Sequence, residues 1–343
     1  LLLLVEHKAF GHTKSKNTPF YHFNGVVRHF FFKAIELRIF MYLCRKPGDY
    51  RQQDQTPMNS NANAFTLNLS GKLMSLDTPK VMGILNVTPD SFFSSSRYMS
   101  EEGILRRAGE MIDEGVDIID VGGCSTRPGI DLVTEEEELL RIRLALHLIR
   151  KRWPSVSLSV DTFRASVATC AVEEYGADMI NDVSGGSLDK AMFETVAKLQ
   201  VPYILMHMKG TPSTMQQQPH YDDLMVEITR YFSQKIQQLR LLGVNDIILD
   251  PGFGFGKTVE HNYQLLRRLA DFQVFDLPLL VGFSRKSMIY KPLNKTPDEA
   301  LHGTIVLNTL ALTKGAHILR VHDIAAAKEC VKLVQTCQKA GLC

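Results

Sequence analysis

Charge of one sign is missing from this chain. Thirty-nine Lys and Arg stand against 37 Asp and Glu in 343 residues, a net of +2. So close a balance excludes a nucleic-acid partner held by bulk charge. Metal-ligand spacing is missing as well. There is no His-Glu-x-x-His run, no His pair at helical spacing, and Cys44, Cys124, Cys170, Cys330, Cys337 and Cys343 form no Cys-x-x-Cys pair. A disulfide scaffold is excluded, and reduced thiols in a cytoplasmic setting are the expectation. No clean apolar run spans a bilayer: Val26 to Cys44 is interrupted by Arg28, His29, Lys33, Glu36 and Arg38. What remains, at 45% hydrophobic and 22% charged, is ordinary globular composition, with neither nucleic acid nor a membrane expected as partner.

The first 57 residues differ from the rest. They hold nine Lys and Arg against four Asp and Glu, and seven of the 18 Phe. Leu1 to Val5 is too short for a signal-peptide core. Residues 1–57 are expected to be a non-native or disordered, irregular N-terminal extension ahead of a start at Met58. A polar linker is expected over 58–79, and one catalytic domain over 80–343.

From Pro79 onward short apolar runs alternate with long amphipathic stretches. The pattern predicts strands at Val81–Leu85, Asp117–Val121, Val156–Val160, Met179–Asn181, Tyr203–Met206, Ile247–Leu249, Leu279–Val281 and Ile318–Val321. Between them it predicts helices at Glu101–Glu114, Glu135–Lys151, Arg164–Tyr175, Asp189–Leu199, Tyr221–Leu242, Glu260–Ala270, Pro297–Thr313 and Asp323–Ala340. Strict alternation implies parallel strands joined by helical crossovers. Eight even units fit a closed (β/α)8 TIM barrel of the α/β class better than the alternative, an open doubly wound sheet.

The barrel places the ends of its strands at one mouth, where such folds carry their chemistry. The residues there are Asn86, Gly122–Arg127, Asp161, Asn181-Asp182, His207, Asp250, Ser284-Arg285-Lys286 and Arg320-Val321-His322. Arg127, Arg320, His322 and Lys286 suit a phosphate or pyrophosphate. Asp161, Asn181 and Asp250 suit a flat heterocycle with amino and lactam N–H edges. Phe255 and Met206 suit a ring face. A hard ion such as Mg²⁺, bridging phosphates with few protein ligands, is compatible. The run Gly252 to Thr258 imitates a phosphate-binding P-loop but leaves three residues, not four, before Gly256-Lys257.

The motifs resemble those of dihydropteroate synthases, within the pterin-binding barrel family. The resemblance rests on Met82-Gly-Ile-Leu-Asn86-Val-Thr-Pro-Asp90-Ser-Phe92, Gly122-Gly-Cys-Ser-Thr126-Arg127-Pro128-Gly129, Ser159-Val-Asp161-Thr and Ile180-Asn181-Asp182-Val183. It continues through Met206-His-Met-Lys-Gly210, Asp250-Pro-Gly-Phe-Gly-Phe255-Gly-Lys257, Ser284-Arg-Lys286-Ser and Arg320-Val-His322-Asp323. It covers about residues 75–340.

The resemblance implies a transferase of folate biosynthesis. It joins 6-hydroxymethyl-7,8-dihydropterin pyrophosphate to 4-aminobenzoate, the compound sulfonamides mimic, releasing pyrophosphate. It implies that Asp161, Asn181, Asp250 and Lys286 hold the pterin and that Asn86 binds Mg²⁺. Thr126, Arg127, Arg320 and His322 would meet the pyrophosphate, and Val321 is counted among the substrate-binding residues. Phe92, Thr126, Pro128, Ser284 and Lys286 would border the aminobenzoate. Lys286, Arg320 and His322 are the expected catalytic groups, and a homodimer is implied.

The chain departs from that pattern twice. Phe93-Ser94-Ser95-Ser96-Arg97 replaces an Asp-Gly-Gly type of first loop, so that Asp90 or water is expected to serve Mg²⁺ there. Cys124 is read as a packing residue. His207 is read as a satisfied histidine, Lys257 as a loop-ordering or phosphate-touching group, Asp182 as a loop orienter, and Glu135–Glu138 as acids favoured by a helix dipole. Two other functions compete, a reduced-folate methyltransferase and a non-catalytic pterin-binding paralogue. Pyrophosphate release that depends on 4-aminobenzoate separates all three.

Overall fold

The computed structural model describes residues 65–88, 101–125, 132–211, 215 and 219–341. The expected extension over 1–57, the start at Met58 and the serine-rich part of the first loop lie outside the described residues. So do Asp90, Phe92, Thr126, Arg127 and Pro128.

The runs predicted as strands form β3 (Lys80–Asn86), β4 (Ile118–Gly122), β5 (Ser157–Asp161), β6 (Met179–Asp182), β7 (Tyr203–Met206), β8 (Ile247–Asp250), β9 (Leu280–Val281) and β10 (Ile318–Val321). Every one of the eight pairs in parallel, in the order β8-β7-β6-β5-β4-β3-β10-β9. A parallel bridge between Leu249 and Leu279 brings β8 against the start of β9, so the sheet closes nearly into a ring. Their sequences are rich in apolar residues because both faces are covered, by the barrel interior on one side and the helices on the other.

The described helices are α1 (Glu101–Asp113), α2 (Glu135–Arg152), α3 (Ala165–Glu173), α4 (Met192–Leu199), α5 (Leu224–Leu241), α6 (Val259–Arg267), a short α7 (Ser287–Tyr290), α8 (Leu301–Leu312) and α9 (Ile324–Lys339), all but α7 predicted. Their starts follow local chemistry. Thr134 accepts from the Glu137 amide at α2, and Asp223 from the amides of Met225 and Val226 at α5. Two differences from the sequence reading have clear causes. The short α7 has no periodicity of its own to announce it. The expected helix over 260–270 ends early, and a 3-10 turn over Leu269–Phe275 buries Leu269, Phe272 and Phe275.

The stretch expected as linker carries structure. β1 (Thr66–Leu69) and β2 (Lys72–Ser75) form an antiparallel hairpin. Its Leu67 and Leu69, with Leu76, pack against Met82, Ile118, Met179, Ile204, Ile248, Leu280 and Ile318, which stand at or near the starts of the barrel strands. The hairpin therefore plugs the base of the barrel. Only Leu67 and Leu69 of the hairpin are fully buried there, with Met74 packed against them, too few to stand out in a sequence scan.

That base layer explains what lies above it. Side chains two residues apart on a strand share a face. One pleat above Ile118, Met179, Ile248 and Ile318 come Asp120, Asn181, Asp250 and Arg320. The barrel interior thus changes from apolar to charged within one step along each strand.

Candidate active site

Arg320 sits at the centre of the polar layer. Its Nε donates to Asp120 Oδ2 at 2.7 Å and its Nη2 to Asp161 Oδ2 at 2.6 Å. Asn181 Nδ2 donates to the same Asp120 Oδ2 at 2.9 Å. Four residues from β4, β5, β6 and β10 are tied into one network. Lys286 stands beside it: its ammonium donates to the Phe253 carbonyl and lies 4.7 Å from the centre of the Phe255 ring.

The electrostatics follow from burial. Desolvation pushes Asp161 up to about 7, with Arg320 opposing and Asp120, Glu138 and Asp182 adding to the rise. Asp250 is raised by burial too, against the pull of Lys286. Burial lowers Lys286 to about 8, with Asp250 opposing. Burial also works against the charge of Arg320, but Asp120 and Asp161 outweigh it and hold the guanidinium protonated. The mouth therefore offers two acceptors ready to be neutralised by N–H groups, beside two cationic groups.

Several local devices aim these groups. Gly122 sits between Asn86 and Asp161; a Cβ there would lie 3.3 Å from Asn86 Oδ1 and 3.6 Å from Asp161 Cβ, so glycine leaves both polar ends room. Arg285 adopts φ +57, a costly conformation for a side-chain-bearing residue. It is held there by Asp323 at 3.1 Å and Asp298 at 3.5 Å. That turn sets Ser284 where its Oγ lies 2.9 Å from His322 Nδ1 and accepts from the His322 amide at 3.2 Å. Arg107 Nη2 donates to the His322 carbonyl at 2.6 Å, bracing the same residue from α1.

The loop after β8 is held from beneath. Lys257 is buried, and its ammonium donates to the carbonyls of Gly252 at 2.9 Å and Phe255 at 3.1 Å and lies 3.0 Å from His207 Nδ1. Lys257 thus orders the loop that presents Phe255. His207 is packed against Tyr221, Tyr231 and Phe232, with its pKa lowered by burial, which fits the reading of a satisfied histidine. Gly252 has φ +70, and a Cβ there would fall 1.9 Å from the His207 carbonyl, so no other residue fits. Asp182 accepts from the amides of Ser184 and Gly186 and from the Tyr203 hydroxyl, orienting the loop after β6. Cys124 is buried, consistent with packing.

Of the expected residues, the structure brings Asp161, Asn181, Asp250, Lys286, Arg320, Ser284, His322, Met206, Phe255 and Asn86 to the strand ends or the loops following them. Val321 is buried, and by strand alternation its side chain takes the face opposite Arg320. Two residues were missed by sequence reasoning. Asp120 lies inside an apolar strand, and its one signal is a charge where a barrel interior needs none. Glu138 belongs to the acidic first turn of α2, but it is fully buried, accepting from Thr162 Oγ1 at 2.6 Å and paired with Arg164. Its neighbours Glu135, Glu136 and Glu137 are exposed, whereas Glu138 is buried and paired, so the dipole reading does not describe it. Glu138 braces the turn just past Asp161 against the start of α2.

Among the described residues, no group of three or more His, Cys, Asp or Glu is placed to hold a metal. No described helix is long and apolar enough to cross a membrane.

The comparisons with known proteins agree with this geometry. Residues 82–322 match the family model for pterin binding enzymes. The chain is 46% identical over 267 residues to the dihydropteroate synthase of Escherichia coli, covering 77% of this chain and 94% of that one. It is 40% identical to the Haemophilus influenzae dihydropteroate synthase, covering 79% and 98%. Among solved structures, a Yersinia pestis dihydropteroate synthase in a sulfonamide drug complex superposes with a TM-score of 0.76 at 42% identity, over 80% of this chain and all of that one. The Xanthomonas albilineans dihydropteroate synthase with 4-aminobenzoic acid gives 0.74 at 37% identity, over 80% and 98%. A nearly closed ring of parallel strands, a charged mouth above an apolar base and a match running from β3 to His322 lead to one conclusion: this chain belongs to the dihydropteroate synthases of the pterin-binding enzyme family.

Proposed function

We propose that this chain transfers the pterin-methyl group of 6-hydroxymethyl-7,8-dihydropterin pyrophosphate to the amine of 4-aminobenzoate, giving 7,8-dihydropteroate and pyrophosphate. The observation that carries the reading is the network of Asp161, Asn181, Asp250, Lys286 and Arg320 above the apolar base. A pterin edge offers adjacent N–H donors and a carbonyl, and that network offers carboxylates and an ammonium in complement.

In this reading Asp161, Asn181 and Asp250 accept from the ring, and Lys286 donates to it. Phe255 and Met206 border its faces. Arg320 and His322 meet the charge that grows on the departing pyrophosphate. Thr126, Arg127, Phe92 and Pro128 complete the anion and aminobenzoate sides, with Ser284 holding His322. An arylamine is neutral at pH 7 and attacks without a strong base, so no nucleophile-base pair is required.

Asn86 fits one oxygen ligand of a Mg²⁺ that takes the rest of its shell from pyrophosphate and water, its amide oxygen standing at the mouth beside Gly122. When bound, the ion would neutralise leaving-group charge. A cytoplasmic setting belongs to the proposal, supported by the free thiols of Cys124, Cys170, Cys330 and Cys337. The deciding experiment measures pyrophosphate release from the pterin substrate. It is expected only when 4-aminobenzoate is present; release without the amine, or none with it, overturns the assignment.

A further inference from the structure

We propose that Asp120 is a positioning residue for the pterin site, acting through the side-chain amide of Asn181. This rests on the pterin reading above. Asp120 is fully buried on β4, where an ion costs several kcal/mol unless its partners use it. Both groups that donate to it, Asn181 Nδ2 at 2.9 Å and Arg320 Nε at 2.7 Å, are residues of the mouth, and both use Oδ2. Its Oδ1 is buried with no hydrogen-bond partner among the described residues.

The chemistry of the pair fixes a direction. An ionised carboxylate only accepts, so the face that Asn181 turns toward Asp120 must be its NH2. The amide carbonyl is then on the other side, as an acceptor. Without that constraint an asparagine amide has two orientations of similar shape and opposite polarity. A ring N–H needs only one of them. The dependence differs between the two partners of Asp120. Arg320 keeps a second anchor in Asp161 at 2.6 Å. Among the described residues, Asp120 is the partner shown for the Asn181 side chain. Loss of the Asp120 charge therefore frees the amide and leaves the guanidinium held.

The test uses calorimetry with the dihydropterin pyrophosphate on the full chain, comparing wild type, Asp120→Asn, Asn181→Ala and the double variant. Asp120→Asn keeps shape and removes the fixed polarity. It is expected to weaken pterin affinity by about 10-fold or more, and by less than about 2-fold once Asn181 is already alanine. In turnover, KM for the pterin substrate rises while KM for 4-aminobenzoate stays. Equal losses in both backgrounds would mean that Asp120 acts structurally, and unchanged affinity would mean it does not act at all. If Asp120→Asn fails to fold, neutron diffraction on the deuterated wild type decides: deuterium on the Asn181 atom facing Asp120 supports the inference, and a carbonyl there sinks it. A wild type that does not bind the pterin substrate would instead refute the pterin reading itself, and the neutron map would still test the amide.

Discussion

Arg320 donates to Asp120 and Asp161 at once, which joins the side of the mouth that meets anions to the side that meets the heterocycle. Asp161 and Asp250 are the acceptors with most to lose, because an N–H edge left unpaired in a buried site costs ~1–3 kcal/mol. Asp161→Ala or Asp250→Ala is expected to abolish measurable pterin binding with the barrel still folded. Calorimetry with unchanged affinity in either variant would remove that residue from the site. The same layer sets a pH window. Asp161, raised to about 7 chiefly by burial, accepts fully only above that value. Lys286, lowered to about 8 by burial, donates as an ammonium only below that value. The rate kcat/KM for the pterin substrate should rise through about 7 and fall above about 8. Lys286→Arg should carry the falling limb upward; a falling limb that stays in place would detach it from Lys286.

At the scale of elements, the loop after β8 hangs on one buried lysine. Removing the Lys257 ammonium leaves the carbonyls of Gly252 and Phe255 without their donor. Lys257→Met is expected to lose ~1–3 kcal/mol of stability or more and to loosen Phe255 against Lys286. The sign with pH is fixed. Burial lowers the folded pKa of Lys257 from 10.5 to about 7, with Asp250 opposing. Between those values the unfolded chain binds the extra proton, so the contribution of this group to stability rises with pH and is lost as pH falls through about 7. Urea unfolding of both proteins at pH 7 and pH 9.5 should show the wild type gaining over the variant at the higher pH. A constant gap would mean that Lys257 does not change its protonation on folding.

At the scale of the whole molecule, the neighbouring helices α8 and α9 expose large apolar side chains. Val306 and Leu310 are exposed four residues apart on α8, and Leu333 is exposed on the neighbouring α9. Leu310 and Leu333 each hold the tenth position of their helices, which puts them at similar height on the barrel wall. Exposed apolar side chains on two packed helices would suit an interface, and a two-fold contact between copies of this chain would cover them. The expected outcome in sedimentation equilibrium is a mass of twice 38.6 kDa, falling toward the single-chain value in Leu310→Glu with Leu333→Glu. A wild type that sediments as one chain would dispose of the homodimer.

Periodicity alone determined the eight strands and most of the helices, because parallel strands covered on both faces are rich in apolar residues and their helices show one apolar stripe. Once the strands were placed, Asp161, Asn181, Asp250, Lys286 and Arg320 followed, since polar residues at successive strand ends converge on one mouth whatever the loops do. Tertiary structure decided the rest. The hairpin at 66–75 is too short and too polar to declare itself, and its Leu67 and Leu69 acquire meaning only against the base layer. Glu138 reads as one of four surface acids until Arg164 and Thr162, 26 and 24 residues away, close over it. Asp120 becomes part of the site only because strand register carries it to within hydrogen-bonding distance of Asn181 and Arg320, 61 and 200 residues distant. Local pattern fixes which face a side chain takes, whereas a buried charge is settled by partners that only the closed barrel supplies.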